Sequence, residues 1–190
     1  MPKIAIFASG SGTNTRRIIE YFTHSDIEIS RIYTNNAQAG VVEIAHNSNI
    51  PVCIFNKSEL YESTIVLNQL QNDNISCIVL AGFLLLMPAN IIQAFEKRII
   101  NIHPALLPKY GGKGMYGMHV HRAVVTNKET KTGITIHVVD EIYDNGTILF
   151  QAECTVLPHD TPETIAQKVH ELEYEHFPRV IQEYVVLLHK

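Results

Sequence analysis

Five short apolar runs alternate with helix-like stretches up to Asn101, and that alternation limits the fold more than any other feature. The runs are Lys3–Ala8, Ile27–Thr34, Pro51–Phe55, Ile75–Leu80 and Ile99–Asn101. Each has the length of a strand, and Ile75–Leu80 most plainly has the near-continuous apolar character of one buried on both faces. Between them lie a helix with Ile18, Ile19 and Phe22 on its inner face and a short helix over Gly40–Ser48. A moderately amphipathic helix over Leu60–Gln71 follows, then one opened by Pro88 and running to about Phe95. This order predicts an α/β chain with a doubly wound, mostly parallel sheet. In such sheets ligands sit beyond the carboxyl ends of the strands.

The second half departs from that pattern. Thr132–Val139 alternates, with Ile134, Ile136 and Val138 on one face and Thr135, His137 and Val139 on the other. Asp140–Gly146 reads as a turn and Thr147–Val156 as the returning partner, so a hairpin adds antiparallel strands. A long C-terminal helix starts at Thr161-Pro162-Glu163, with Asp160 or Thr161 as cap and Pro162 in the first turn. Ile165, Val169 and Leu172 mark its core stripe, and Pro178 is expected to kink or restart it before a last piece over Val180–Leu188. Glu173, four residues after Val169, falls on the inner face, where a carboxylate needs a partner.

At 190 residues the chain is most simply one domain with a full-sized core. A net charge of −4 without any basic run argues against a nucleic-acid surface. The longest apolar run, Cys77–Met87, is far too short to span a bilayer. Cys53, Cys77 and Cys154 have no metal-like spacing, and Met1–Ala8 lacks the apolar stretch of a signal peptide. Reduced, buried thiols in a cytoplasmic protein are therefore expected.

Three stretches carry chemistry, and all three fall on the carboxyl edge of the sheet. Ser9-Gly10-Ser11-Gly12-Thr13-Asn14 joins the first strand to a helix N-terminus, an arrangement whose free N–H groups and dipole cradle an anion. The dinucleotide fingerprint fits poorly: Thr15 stands at its third glycine, and the second strand ends in Asn35-Asn36 without a ribose-binding acid. A monophosphate suits this turn better. The second stretch, Ala81–Pro88, stays apolar where a strand should end; it either buries or walls a pocket for a flat apolar ligand. The third is Asn101-Ile102-His103-Pro104-Ala105-Leu106-Leu107-Pro108. There Asn101 and His103 emerge on one side of a strand end, and two prolines stiffen the loop beyond. An amide beside an imidazole can stabilise an oxyanion and move a proton. His119 and His121 could bind metal with His103 and Asp144, but an i, i+2 pair on a helix diverges. The glycine-rich stretch Lys109–Met118 has no role assignable from sequence.

These residues resemble the folate-dependent phosphoribosylglycinamide formyltransferases nearly end to end. The resemblance rests on Ser9–Asn14, Leu80-Ala81-Gly82-Phe83, Asn101–Lys109, and the hairpin from Gly133–His137 through Asp144-Asn145-Gly146. The Asn-x-His-Pro-x-Leu-Leu-Pro element belongs to the wider formyltransferase superfamily; the opening turn narrows the likeness. A tRNA formyltransferase, a formyltetrahydrofolate hydrolase and a non-catalytic phosphate-binding domain are the rival readings.

The resemblance implies a single Rossmann-like formyltransferase domain over residues 1–190. Residues 1–100 would form its nucleotide-phosphate-binding half and residues 101–190 the catalytic and folate-closing half. Gly12, Thr13 and Asn14 would hold the ribonucleotide phosphate, and Glu173 its ribose hydroxyls. Leu84, Leu85, Leu86 and Met87 would border the folate together with Asn101, Val139 and Asp140. Asn101, His103 and Asp144 would be the catalytic set, supported by Thr135 and His137, with Asp144 raising the His103 pKa and keeping its ring charged. The co-substrate would be 10-formyltetrahydrofolate, with no metal. The partners would be the two small molecules, with neither nucleic acid nor membrane, in a monomer or weak homodimer. Leu85 stands where relatives carry a basic residue, and Lys57 is the nearest candidate for another, so the folate tail would be held differently here.

Overall fold

A computed structural model describes residues 1–189. Its centre is a seven-stranded sheet in the order β3-β2-β1-β4-β5-β6-β7. Strands β1 (Lys3–Phe7), β2 (Glu28–Thr34), β3 (Val52–Ile54), β4 (Cys77–Leu80) and β5 (Ile99–His103) run parallel. Strands β6 (Lys131–Val138) and β7 (Ile148–Thr155) form the antiparallel hairpin beside β5. Doubly wound α/β topology with an antiparallel edge is thus the observed architecture.

Two apolar layers sandwich this sheet. On one face Ile4, Ile6, Ile100, Ile102, Ile134 and Ile136 pack beneath α1 (Thr13–Phe22), α2 (Gly40–Asn47), α6 (Met118–Thr126) and α7 (Pro162–Leu187). On the other, Ala5, Phe7, Ile78, Leu80 and Ile99 pack beneath α3 (Lys57–Tyr61), α4 (Ile65–Asn72) and α5 (Ala89–Ala94). His137, on the polar face of its strand by pattern, is nevertheless buried. Of the three free cysteines only Cys77 is fully buried; Cys53 and Cys154 are half-buried, which corrects that expectation.

Two helix boundaries differ from their sequence patterns. The stretch read as one helix over Leu60–Gln71 is two. Asn56 starts α3 with a capping box that engages Glu59, and the Ser63 hydroxyl donates to the Glu59 carbonyl at 2.7 Å, ending that turn before α4 begins. Conversely, Pro178 neither stops nor restarts α7, which runs unbroken for 26 residues. The proline is buried among Phe177, Val180 and Ile181, so packing holds the helix across the missing N–H. Thr161 is the cap, accepting from Thr164 N–H at 3.3 Å.

The loop after β5 is held from below. Thr135, fully buried on β6, accepts from Leu107 N–H at 3.0 Å and donates to the Ala105 carbonyl at 2.7 Å. Gln151 on β7 donates to the same hydroxyl at 2.8 Å and to the Leu107 carbonyl at 3.1 Å. Thr135→Val keeps the shape but orphans one backbone donor and one acceptor in the core. It should cost about 2–4 kcal/mol in urea unfolding, while Thr135→Ser should stay within about 1 kcal/mol of wild type.

Candidate active site

A cavity of about 570 Å³ opens at the carboxyl ends of β1, β4 and β5. The residues expected to bind the ribonucleotide or the folate and the expected catalytic set all border it, as does His137; Thr135 is fully buried and does not, and neither Lys57 nor His119 is part of its lining.

At one end stands the N-terminus of α1. It has neither a side-chain cap nor an acidic residue in its first turn, so its unpaired N–H groups and positive dipole end are free for an anion. Gly12 holds φ +76°, and a Cβ there would stand 2.8–2.9 Å from Val41 and Ile44. Only glycine lets α1 begin this close to α2. Asn14 reaches across to α7, donating from Nδ2 to Glu173 Oε2 at 2.8 Å. Glu173 is buried, and that burial raises its carboxyl pKa against the opposing pull of Asn14. His170, one turn earlier on α7, lines the same end of the cavity.

The segment after β4, the strand next to β1, forms an apolar wall. Leu84 is exposed, while Leu85 and Leu86 are half-buried. Met87 is only 2% exposed and belongs chiefly to the core, so it lends little wall. Tyr61 donates to the Leu86 carbonyl at 2.9 Å. The cradle and this wall are linked through Ser9, whose hydroxyl accepts from Leu84 N–H at 3.0 Å and donates to Asn35 Oδ1 at 2.6 Å. Asn35, at a position that binds ribose in dinucleotide folds, here anchors the cradle.

Next to β4, on the side away from β1, lie the polar residues of the third stretch. The β5–β6 register sets Asn101 opposite His137 and His103 opposite Thr135. His137 Nδ1 faces the Val138 carbonyl at 3.0 Å and is therefore the donor nitrogen, leaving Nε2 to accept from Asn101 Nδ2 at 3.1 Å. One amide N–H of Asn101 is thus anchored and the other left for a ligand. His103, 4% exposed, donates from Nε2 to the Tyr110 carbonyl at 2.7 Å. Its Nδ1 lies 3.6 Å from Asp144 Oδ1, and His137 Nε2 lies equally far from the same oxygen. These distances are too long for firm hydrogen bonds but suit a site that tightens around ligands. Asp144 Oδ2 accepts from Gly112 N–H at 2.8 Å.

Asp144 keeping His103 charged is the expectation that burial overturns. Desolvation lowers the His103 pKa; Asp144 and the Tyr110 carbonyl raise it, but burial prevails and the ring sits below the ordinary histidine value. Burial also pushes the Asp144 carboxyl up, yet His137, His103 and the Gly112 N–H together hold it below the usual range. The resting pair is a carboxylate beside a neutral imidazole.

His121 turns inward, its Nδ1 buried without a partner, and desolvation drives its pKa down to about 4. His119 instead packs edge-on against Tyr116. Among the described residues no three histidine, cysteine or acidic side chains are grouped to hold a metal. The contacts made by the Tyr110 carbonyl and Gly112 N–H were invisible in the sequence because they are backbone groups. His170 left a faint signal, its spacing one turn before Glu173.

A family model described as formyl transferase matches residues 2–181, and the chain belongs to that family. Within it, the chain is 35% identical over 190 residues to the phosphoribosylglycinamide formyltransferase of Bacillus subtilis (strain 168), covering 96% of this chain and 94% of that one. It is 39% identical over 186 residues to the chloroplastic phosphoribosylglycinamide formyltransferase of Arabidopsis thaliana, covering 94% of this chain. It spans only 64% of that plant relative's length, and 60% of the one from Vigna unguiculata. The crystal structure of phosphoribosylglycinamide formyltransferase from Bacillus halodurans superposes with a TM-score of 0.86 at 35% identity, covering 99% of this chain and 96% of that one.

The buried histidines predict an acid-sensitive fold. Groups held neutral by the fold refuse protons that the unfolded chain accepts below the ordinary value of 6.5. Their contribution is complete above that pH and is lost as pH falls toward 4; Glu173, with its raised pKa, works in the opposite sense. His121 should account for a loss on the order of 3 kcal/mol. Urea unfolding between pH 7 and 4 should give a visibly shallower decline for His121→Phe than for wild type; equal slopes would refute this account.

Proposed function

We propose that the chain transfers the formyl group of 10-formyltetrahydrofolate to the amine of glycinamide ribonucleotide. The products are formylglycinamide ribonucleotide and tetrahydrofolate, a step of purine biosynthesis. The observation that carries this reading is one cavity lined by an anion cradle, an apolar wall, and Asn101, His103 and Asp144. The relatives, phosphoribosylglycinamide formyltransferases, support the same reading. The cradle takes the phosphate, Glu173 the ribose hydroxyls, and Leu84–Leu86 with Val139 and Asp140 the folate. A cytoplasmic enzyme working as a monomer or weak homodimer belongs to this reading.

The chemistry follows from the protonation states. The neutral amine attacks the formyl carbon, whose oxygen takes the electron pair and is met by the free N–H of Asn101. His103 Nδ1, unprotonated while Nε2 serves Tyr110, accepts the amine proton directly or through a water. The imidazolium so formed lies beside Asp144 and stabilises the oxyanion. As the tetrahedral adduct collapses, the proton passes to the folate nitrogen and its bond to carbon breaks. The formyl group is already activated by that nitrogen, so the scheme needs no metal and no covalent enzyme intermediate.

Folate release measured with and without glycinamide ribonucleotide tests the reading. Release that depends on the ribonucleotide is expected. Equal release into water alone would make the chain a hydrolase, and binding without turnover a non-catalytic phosphate-binding domain. Activity should survive exhaustive chelation and dialysis; a stoichiometric metal whose removal abolishes turnover would refute the metal-free scheme.

Asp144→Asn removes the countercharge for the imidazolium. It should lower kcat by about 10²–10³-fold with both KM values within about threefold, and move the His103 pKa further down in NMR titration. Combined with His103→Ala or Asn101→Ala its effect should be strongly non-additive. A His103 pKa that stays in place would break the link between the two residues, whatever happens to the rate.

A further inference from the structure

The glycine-rich loop after β5 grips both titratable members of the candidate catalytic set. Tyr110 contributes the carbonyl that accepts from His103, and Gly112, two residues on, the N–H that donates to Asp144. Gly111 between them has no room for a side chain: a Cβ there would meet Leu107 Cδ2 at 2.6 Å and Asp144 Cβ at 3.2 Å. Tyr110 itself holds φ +57°, a left-handed conformation that is unfavourable for a residue with a side chain and persists only where its surroundings enforce it.

What enforces it lies outside the cavity. The Tyr110 hydroxyl donates to Glu129 Oε1 and accepts from Asn127 Nδ2, both at 2.9 Å. Lys109 Nζ meets the same carboxylate at 2.9 and 3.2 Å. Glu129 is in turn tied to the end of α6, its N–H donating to the Val124 carbonyl at 3.2 Å. Half-exposed polar contacts of this kind add little stability. Their effect is geometric, because peptide planarity makes the direction of the Tyr110 carbonyl follow the backbone angles of Tyr110.

We propose that Tyr110 is a positioning residue: its hydroxyl, clamped by Glu129 and Asn127, aims the Tyr110 carbonyl and the Gly112 N–H and so orients His103 against Asp144. This deepens the formyl-transfer reading and rests on it for the meaning of turnover. The geometry of the ring can be read without it.

Tyr110→Phe keeps the packed ring and deletes the clamp. Three groups besides Tyr110 face His103 and enter its titration: Asp144 from the hairpin turn, His137 from β6 and His121 from α6. The first experiment is therefore NMR titration of the His103 ring in wild type, Tyr110→Phe, Glu129→Ala and Glu129→Gln. Losing an aimed carbonyl should lower the His103 pKa by about half a unit in Tyr110→Phe and Glu129→Ala. Glu129→Gln, which still offers the phenol an acceptor, should titrate like wild type. In steady-state assays the first two variants should lose about tenfold in kcat with both KM values within about twofold, and Glu129→Gln should recover most of it. A His103 curve unmoved in Tyr110→Phe and Glu129→Ala overturns the proposal, even if melting temperatures fall. A Gln variant as impaired as the Ala variant overturns it too. A wild type without formyl transfer, but whose ring still shifts in Tyr110→Phe, defeats the functional reading and leaves the positioning role standing.

Discussion

The antiparallel register of β5 on β6 is the constraint on which the rest of the site depends. It sets Asn101 against His137 and His103 against Thr135, so four polar side chains occupy one face at a strand end. Because strand side chains alternate, a slip of one residue would send Asn101 and His103 into the layer of Ile100 and Ile102. The alternating isoleucines on both strands forbid that slip, since it would expose Ile134 and Ile136 to the polar cavity. The hydrophobic core and the site are therefore specified by the same pattern. Once the register is set, Thr135 can reach under the Pro104–Pro108 loop and tie Ala105 and Leu107 to the sheet.

The electrostatics of the site are a contest between burial and one carboxylate. A histidine only 4% exposed loses more from desolvation than it gains from Asp144 at 3.6 Å. The balance suits a proton acceptor better than a fixed cation, because a ring already charged cannot take the amine's proton. In the proposed reaction Asp144 acts when the ring charges, and the N–H of Gly112 donating to it favours its ionised form. An aspartate at φ +52° in a hairpin turn would ordinarily be read as a turn residue. Here the turn is what brings its carboxylate to both histidines.

Much of this was legible in the sequence, for identifiable reasons. The alternation of strands with helices and the hairpin follow from apolar periodicity, a signal spread over many residues. The cradle follows from glycine at a position where α2 leaves no space for a Cβ. Less legible were features decided by tertiary packing. Pro178 sits in an unbroken helix because its buried neighbours hold it there, and Leu60–Gln71 divides because Asn56 and Ser63 offer the backbone competing partners. The net direction of the His103 pKa was misread because depth of burial is not written in local sequence. The Tyr110 carbonyl and Gly112 N–H carry no side-chain signature at all.

The anion cradle and the apolar wall are not mechanically separate, and the reason is a single hydroxyl. Ser9, two residues beyond β1, accepts the Leu84 N–H from the apolar wall and donates to Asn35 behind the anion cradle. Its own N–H donates to the Gly82 carbonyl at 3.0 Å, so the cradle and the segment after β4 share two hydrogen bonds within three residues. Asn14 makes the corresponding link to Glu173 on α7. An anion at the first turn of α1 thus sits beside groups bonded to the wall through Ser9 and to the C-terminal helix through Asn14. In a transfer between two bound molecules, entropy favours a site whose halves are fixed relative to each other before either ligand arrives. Ser9 and Asn14 supply that fixation with short polar contacts at the edge of the sheet, where each strand end has backbone groups free to receive them.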